Sequence, residues 1–376
     1  MTDSLTERQA FMIMNDLPNI GPITLNRLLE AFGGDPCEIL TAPKRRLESV
    51  RGVGPETSAA LSDWRTHFDL AREEERLVQA GATFITTRDE GYPKLLKEIH
   101  DPPIGLYRKG DYLFGQPCIA VVGSRRTTLY GQSVAKKLGA QLAQLGFCVV
   151  SGLARGIDTA AHEGALSVGG KTVAVLGCGI DIVYPPENLD LYRRITETGA
   201  VLSEFPFGRK ADKQSFPMRN RVVSGICEGV VVVESDVKGG AMITARFAGE
   251  QGRLIFAVPG RIDQPSSAGC HQLIRDGAML LTSVDDILNE LNYLDGLRPK
   301  AITTEGEVSV LEQLMPELSD SERKVVGAFS GGGMLGIDAL TTATGLSSPE
   351  VSAALMGLEL KRLVSKRADG TFEARS

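Results

Sequence analysis

The sequence predicts an α/β protein: a doubly wound, Rossmann-like domain flanked by a small helical N-terminal domain (SAM/helix-hairpin-helix-like) and a C-terminal winged-helix domain. Three observations carry this. Short β-branched apolar runs recur along the middle of the chain, with helical patterns between them. Two similar Gly-Pro phrases punctuate short helices near the amino end. A helix, helix, hairpin pattern occupies the last 60 residues or so. The 376 residues give two to three domains at roughly 150 each.

Composition sets the first bounds. Apolar residues make up 42% and charged residues 23%, which excludes a chain disordered throughout. No run approaches the ~18 apolar residues of a membrane span, and the polar first residues lack the apolar stretch of a secretory signal. Cys37, Cys118, Cys148, Cys178, Cys227 and Cys270 are scattered, and His67, His100, His162 and His271 show no ligand spacing. We therefore expect no metal, no cofactor, and a reducing, cytoplasmic setting. The net charge of −6 argues against a uniformly basic nucleic-acid binder. Its distribution is uneven: residues 1–114 carry −4, residues 115–290 carry +1 and residues 291–376 carry −3. A local cluster rather than net charge decides a site.

Residues 1–70 read as short helices broken by Leu17-Pro-Asn-Ile-Gly-Pro22 and Val50-Arg-Gly-Val-Gly-Pro55. Such Gly-containing hairpins serve either as tight packing turns or as backbone N–H cradles for phosphate. Residues 71–114 form a connecting segment rich in turn signals that packs on the core, including Gly91-Tyr-Pro93 and Asp101-Pro-Pro-Ile-Gly105.

Residues 115–290 hold the regular beat: Ile119–Val122, Phe147–Val150, Thr172–Leu176, a weaker Ala200–Leu202, Gly229–Val233 and Leu254–Val258. Val134, Leu138, Leu142 and Leu145 give the intervening Gly131–Leu145 segment a helical face. Continuous apolar strands alternating with helices mean a parallel sheet covered on both faces. Residues 291–318 read as a polar linker. Residues 319–376 read as helices followed by a hairpin turning at Asp369-Gly370. The helix after Ser347-Ser-Pro349 carries Glu350 and Glu359 and no cation before Lys361, which suits an interaction or regulatory role better than DNA reading.

The strand-to-helix turns carry the chemistry. Val122-Gly-Ser-Arg-Arg-Thr127 places two arginines where a dinucleotide fold would want G-x-G-x-x-G, and the second strand ends at Val150-Ser151 without a ribose-binding carboxylate. Both absences count against NAD. Ser151-Gly-Leu-Ala-Arg-Gly-Ile-Asp158 and Lys238-Gly-Gly-Ala241 repeat the pairing of small residues with a cation, Gly169-Gly-Lys171 precedes the third strand, and Ser215-Phe-Pro-Met-Arg-Asn-Arg221 sets an aromatic beside two arginines. Carboxyl ends of parallel strands converge on one crevice, so Arg125, Arg126, Arg155, Arg219, Arg221 and Lys238 are expected to line one surface. Phe216 or Tyr184 is available to stack a base. His162 reads as a core or capping histidine, and Asp158 as an organiser of its loop. Asp158 and Glu234 are also candidates for an acid–base pair, but Asp158 better fits a role in orienting its loop or an arginine.

These motifs, with Ile243-Thr-Ala245, Glu250-Gln-Gly-Arg253, Phe256-Ala-Val-Pro-Gly260 and Gly269-Cys-His-Gln-Leu-Ile-Arg-Asp-Gly-Ala278, resemble the DprA/Smf family of bacterial DNA-processing proteins, densely over residues 90–290. The resemblance implies a non-enzymatic protein that binds and protects single-stranded DNA on its Rossmann-like domain, loads RecA onto it in natural transformation, and forms homodimers. It implies Gly123, Ser124, Arg125 and Lys171 as core phosphate contacts. It extends the DNA site to Arg126, Ser151, Gly152, Arg155, Gly156, Phe216, Arg219, Asn220, Lys238 and Gly240. It suggests His271, Ile274 and Leu280 near a dimer interface, although the neighbouring apolar residues equally fit the last helix and strand of the sheet. Where family members have Ser-Gly-Ser or Ser-Gly-Ala, this chain has Gly239-Gly240-Ala241, so the first hydroxyl is missing. The competing reading is a nucleotide phosphoribohydrolase acting on a nucleoside monophosphate, a group that carries a Pro-Gly-Gly-x-Gly-Thr-x-x-Glu loop absent here.

Overall fold

A computed structural model describes residues 5–292, 318–329, 335–361, 363–367 and 370–374. Most of the 291–318 linker, and Asp369 of the expected hairpin turn, lie outside the described residues.

Six helices open the chain: α1 (Glu7–Asp16), α2 (Pro22–Ala31), α3 (Pro36–Thr41), α4 (Lys44–Glu48), α5 (Pro55–Ser62) and α6 (Leu70–Ala80). The two Gly-Pro phrases act alike. Gly21 and Gly54 are extended caps without a side-chain acceptor, and Pro22 and Pro55 open α2 and α5, where a missing N–H costs nothing.

A nine-stranded sheet follows: β1 (Ala82–Thr86), β2 (Gly105–Lys109), β3 (Cys118–Val122), β4 (Cys148–Ser151), β5 (Thr172–Leu176), β6 (Ala200–Ser203), β7 (Gly229–Val232), β8 (Leu254–Ala257) and β9 (Met279–Leu280). Its order is β1-β2-β6-β5-β4-β3-β7-β8-β9. From β6 to β9 every pairing is parallel, and each expected apolar run forms a strand. The connecting segment does more than pack on the core: β1 and β2 extend the sheet antiparallel beyond β6. Between them lies α7 (Lys94–Lys97). The crossovers are α8 (Leu129–Gln144), α9 (Ile157–Ser167), α10 (Leu189–Thr198), α11 (Ser215–Gly225), α12 (Gly240–Glu250) and α13 (Pro265–Arg275), with α14 (Val284–Glu290) after β9.

Strand order runs outward from β3 in both directions, so β3 and β7 flank the topological switch point, where open parallel sheets bind ligands. One apolar cluster joins Phe11, Leu28 and Trp64 of the N-terminal helices to Phe84, Tyr107 and Val201 of the sheet, so the helical unit and the β1–β2–β6 side share a core. Glu73 is buried at that junction and accepts from the Tyr107 hydroxyl at 2.8 Å and the Phe207 N–H at 3.1 Å.

The last segment contains helices Asp320–Ala328, Ile337–Thr344 and Ser348–Leu360 and an antiparallel pair, Val364–Lys366 with Phe372–Ala374, bridged to Leu335 as in a winged helix. It leans on the Rossmann-like unit: Leu129 packs against its core, and Arg367 lies 3.8 Å from Asp263. Among the described residues no helix is long and apolar enough to cross a membrane, and no cluster of His, Cys, Asp and Glu has metal-binding geometry.

Candidate nucleic-acid interface

A cleft of about 760 Å³ opens at the switch point. Its walls are the loops after β3, β4, β7 and β8, with α11 across one side. Glycines bring these loops together. A Cβ on Gly123 would stand 2.5 Å from Ile157 Cγ1, and one on Gly152 would stand 1.9 Å from Arg219 Nη1. Gly156 has φ +78°, and a Cβ there would meet the Ser124 carbonyl oxygen at 2.4 Å.

The loop after β3 is fixed from β7. Glu234, 4% exposed, accepts from Thr127 Oγ1 at 2.6 Å, Thr128 N–H at 2.9 Å and Thr128 Oγ1 at 2.5 Å. The Ser124 N–H donates to the Glu234 carbonyl at 2.7 Å. Ser124 Oγ accepts from the Arg126 N–H at 3.1 Å, so the serine shapes the turn. Arg125 and Arg126 project from it, exposed, with no carboxylate partner among the described residues. The Arg125 guanidinium lies 4.6 Å from the centre of the Phe216 ring, and the Phe216 and Tyr184 rings are 6.0 Å apart. A cation stacked on an aromatic at a cleft mouth presents charge to a phosphate and a ring face to a base. The amino end of α12 opens on the same cleft: Gly239 caps it without a side chain, and space beside Gly240 is clear. Helix N-termini of this kind attract anions.

Asp158 faces inward. It accepts from the Gly152 N–H at 3.0 Å and the Ala154 N–H at 3.3 Å. Burial pushes its carboxyl above the usual range, against the pull of Arg219 and these two N–H groups. Both Asp158 and Glu234 are thus committed to holding loops, as expected for Asp158.

The cleft gathers Gly123, Ser124, Arg125, Arg126, Gly152, Phe216, Arg219, Asn220 and Gly240. Other expected contacts take different places. Lys171 is exposed at the amino end of β5, and its carbonyl accepts from the Val149 N–H at 3.1 Å. It precedes its strand, whereas the cleft is built from residues that follow theirs, so it does not join them. Arg219 is 5% exposed and clamps strand ends: Nη1 donates to the Gly152 carbonyl and, at 2.7 Å, to that of Val175. Only an edge of it meets the cleft. Arg221 points the opposite way, into an ion pair with Glu204 and within 3.4 Å of Asp101. Two residues apart on a helix, Arg219 and Arg221 cannot share a face. Lys238 is exposed on the loop before α12 but does not line the cleft. Arg155 does not line the cleft and pairs with Glu187. Ser151 is buried, its hydroxyl donating to the Val121 carbonyl at 2.7 Å, while Gly156 caps α9 behind the arginine loop. His162 is fully buried, in keeping with a core histidine.

Sequence reasoning missed Thr128, Ser235, Asp236, Thr244 and Gln264–Ser266, which also line the cleft. Their signal was positional: they follow the carboxyl ends of β3, β7 and β8. At the far edge of the sheet, His271 Nε2 lies 2.9 Å from the Gly260 carbonyl oxygen, Ile274 packs against the core, and Leu280 on edge strand β9 is 50% exposed.

Comparison with known proteins agrees with this architecture. Residues 83–292 match the family model for DNA recombination-mediator protein A, and residues 310–370 match the DprA winged helix domain. The chain is 32% identical over 401 residues to Protein Smf of Synechocystis sp., covering 98% of this chain and 99% of that protein. It is 45% identical over 206 residues to the DNA processing protein DprA of Streptococcus pneumoniae, covering 54% of this chain and 73% of that one. Among solved structures, the X-ray structure of DNA processing protein A from Streptococcus pneumoniae superposes with TM-score 0.67 at 35% identity, over 76% of this chain and 98% of the other. A structure of DNA processing protein A from Helicobacter pylori, which concerns that protein's single-stranded DNA binding mode, superposes with TM-score 0.51 at 32% identity, over 56% and 96%. Family models across both units and a relative matched end to end place the chain in the DprA/Smf family of DNA-processing proteins.

Proposed function

We propose that this protein binds single-stranded DNA in the switch-point cleft, protects it, and loads RecA onto it during natural transformation, acting as a binding protein rather than an enzyme. The observation that carries the reading is the Arg125–Phe216 stack beside the open amino end of α12. Phosphates take the arginines and backbone N–H groups, and an unpaired base takes the ring. A duplex keeps its bases paired and cannot offer one to Phe216. The Helicobacter pylori relative, named for its single-stranded DNA binding mode, supports the same choice. Asp158 and Glu234 are spent on loop hydrogen bonds, which argues against hydrolysis at this cleft. A homodimer through the β9 edge, where Leu280 is exposed, belongs to the same proposal, as does a cytoplasmic site of action.

Fluorescence anisotropy with labelled poly-dT, competed by poly-dT or by duplex of equal length, tests the binding step. We expect single strands to compete at far lower concentration. Equal competition by duplex would refute the stacking mode. RecA ATP hydrolysis on single strands, with and without this protein, tests loading: no acceleration would leave a binding protein without the loading role.

A further inference from the structure

The array at the cleft mouth continues past Phe216. Tyr184, 42% exposed, lies beside it, and Arg155 stands beside Tyr184. A strand leaving Arg125 along these rings meets Arg155 next. Arg155 is not free to receive it. Its Nε donates to Glu187 Oε1, both side chains being about half exposed, at 53% and 52%. The pairing is built into the fold. Glu187 sits in the 3-10 turn Pro186–Asn188, and Asn188 Nδ2 ties that turn to the loop carrying Arg155, donating to the Leu153 carbonyl at 3.0 Å and to Thr159 Oγ1 at 2.9 Å. Arg125 and Arg126 lack any such carboxylate among the described residues.

We infer that Glu187 limits the protein's affinity for single-stranded DNA: its carboxylate occupies Arg155, and a phosphate must displace it to complete the track from Arg125 through Phe216 and Tyr184. The inference rests on the DNA reading proposed above. A carboxylate and a phosphate compete for the same guanidinium edge, so the arginine adds its contact only after losing another. Arg155 then contributes less to affinity than Arg125 does, and release of the strand is eased at that end.

The test is Glu187→Gln in the full-length protein, with Asp190→Asn as a control. Asp190 is 83% exposed nearby on α10, and its removal changes net charge equally without touching Arg155. Poly-dT affinity is titrated against salt for the wild type, both variants, Arg155→Ala and the Arg155→Ala/Glu187→Gln pair. Glu187→Gln should bind roughly two- to five-fold tighter, the worth of one exposed ion pair. In the Arg155→Ala background the same change should give no more than Asp190→Asn gives. An equal gain with and without Arg155 would overturn the inference, and so would no gain at all. In either case wild-type binding lost by Arg125→Ala keeps the proposed function standing. If the wild type fails to bind poly-dT, both fall together.

Discussion

Replacing Arg219 with Gln separates scaffold from DNA contact. The guanidinium of Arg219 is buried and stays protonated, although burial lowers its pKa, while Asp158 opposes that shift. It bridges the ends of β4 and β5 by donating to the Gly152 and Val175 carbonyls. Hydrogen bonds from a charged donor are worth about 1.5–3 kcal/mol each. The shorter Gln reaches at most one of these acceptors, and water from the adjoining cleft compensates part of the loss. We expect a local cost of about 3 kcal/mol. At 1.4 kcal/mol per decade that is roughly a 100-fold fall in protection. Hydrogen–deuterium exchange of peptides covering β4 and β5 reads it directly, and peptides from α1–α5 serve as an internal reference. The salt slope of poly-dT binding should stay that of the wild type even as affinity drops, because no phosphate contact is lost. Unchanged β4 and β5 protection with a slope reduced by about 0.7 would refute this reasoning and make Arg219 a phosphate ligand.

Two further outcomes follow from the same geometry. His162 Nδ1 lies 2.7 Å from Thr172 Oγ1, whose proton goes to the Val149 carbonyl, so Nδ1 carries the hydrogen and the buried Nε2 is left bare. Burial pushes this imidazole down to about 3. The unfolded chain takes up a proton near pH 6.5 and the native protein does not, so this contribution is complete above pH 6.5 and is lost as pH falls towards 3. Between pH 7.5 and 5 the loss is about 2 kcal/mol, seen as reduced β5 protection after correction for intrinsic exchange. His162→Gln should flatten that dependence, and an equal slope in the variant would remove His162 as its source. Deleting residues 319–376 should leave most single-strand affinity, since the cleft is lined by residues 122–266. It should also uncover Leu129, whose partners lie in the winged helix. Loss of poly-dT binding on truncation would place part of the site in the winged helix.

How much of this was readable from the sequence varies with the physics behind each element. Strands β3, β4, β5 and β7 are buried on both faces throughout, and β8 at Phe256 and Ala257, so each is a continuous apolar run and stands out. Strand β1 at the sheet edge and its neighbour β2 are each only partly buried and mix Thr, Arg and Lys with apolar residues, so they read only as turns. The arginines at strand ends were visible as residue types, but their direction was not. Arg219 and Arg221 look equivalent in the sequence, yet one clamps the cleft floor and the other turns to Glu204. Lys171 shared the Gly-rich company of the phosphate loops while lying before its strand rather than after it. The Glu187 partner of Arg155 is 32 residues away, and only the fold brings the two together.

The central claim is that Arg125 anchors phosphate at the switch point, and a salt titration of poly-dT binding, wild type beside Arg125→Ala, tests it most directly. Arg125 is exposed and joins no ion pair among the described residues, so its removal leaves the fold intact. We predict weaker binding at every salt concentration and a slope of log affinity against log salt shallower by about 0.7, one phosphate contact on a single strand. An unchanged affinity and slope would contradict the account and move the DNA site away from the cleft.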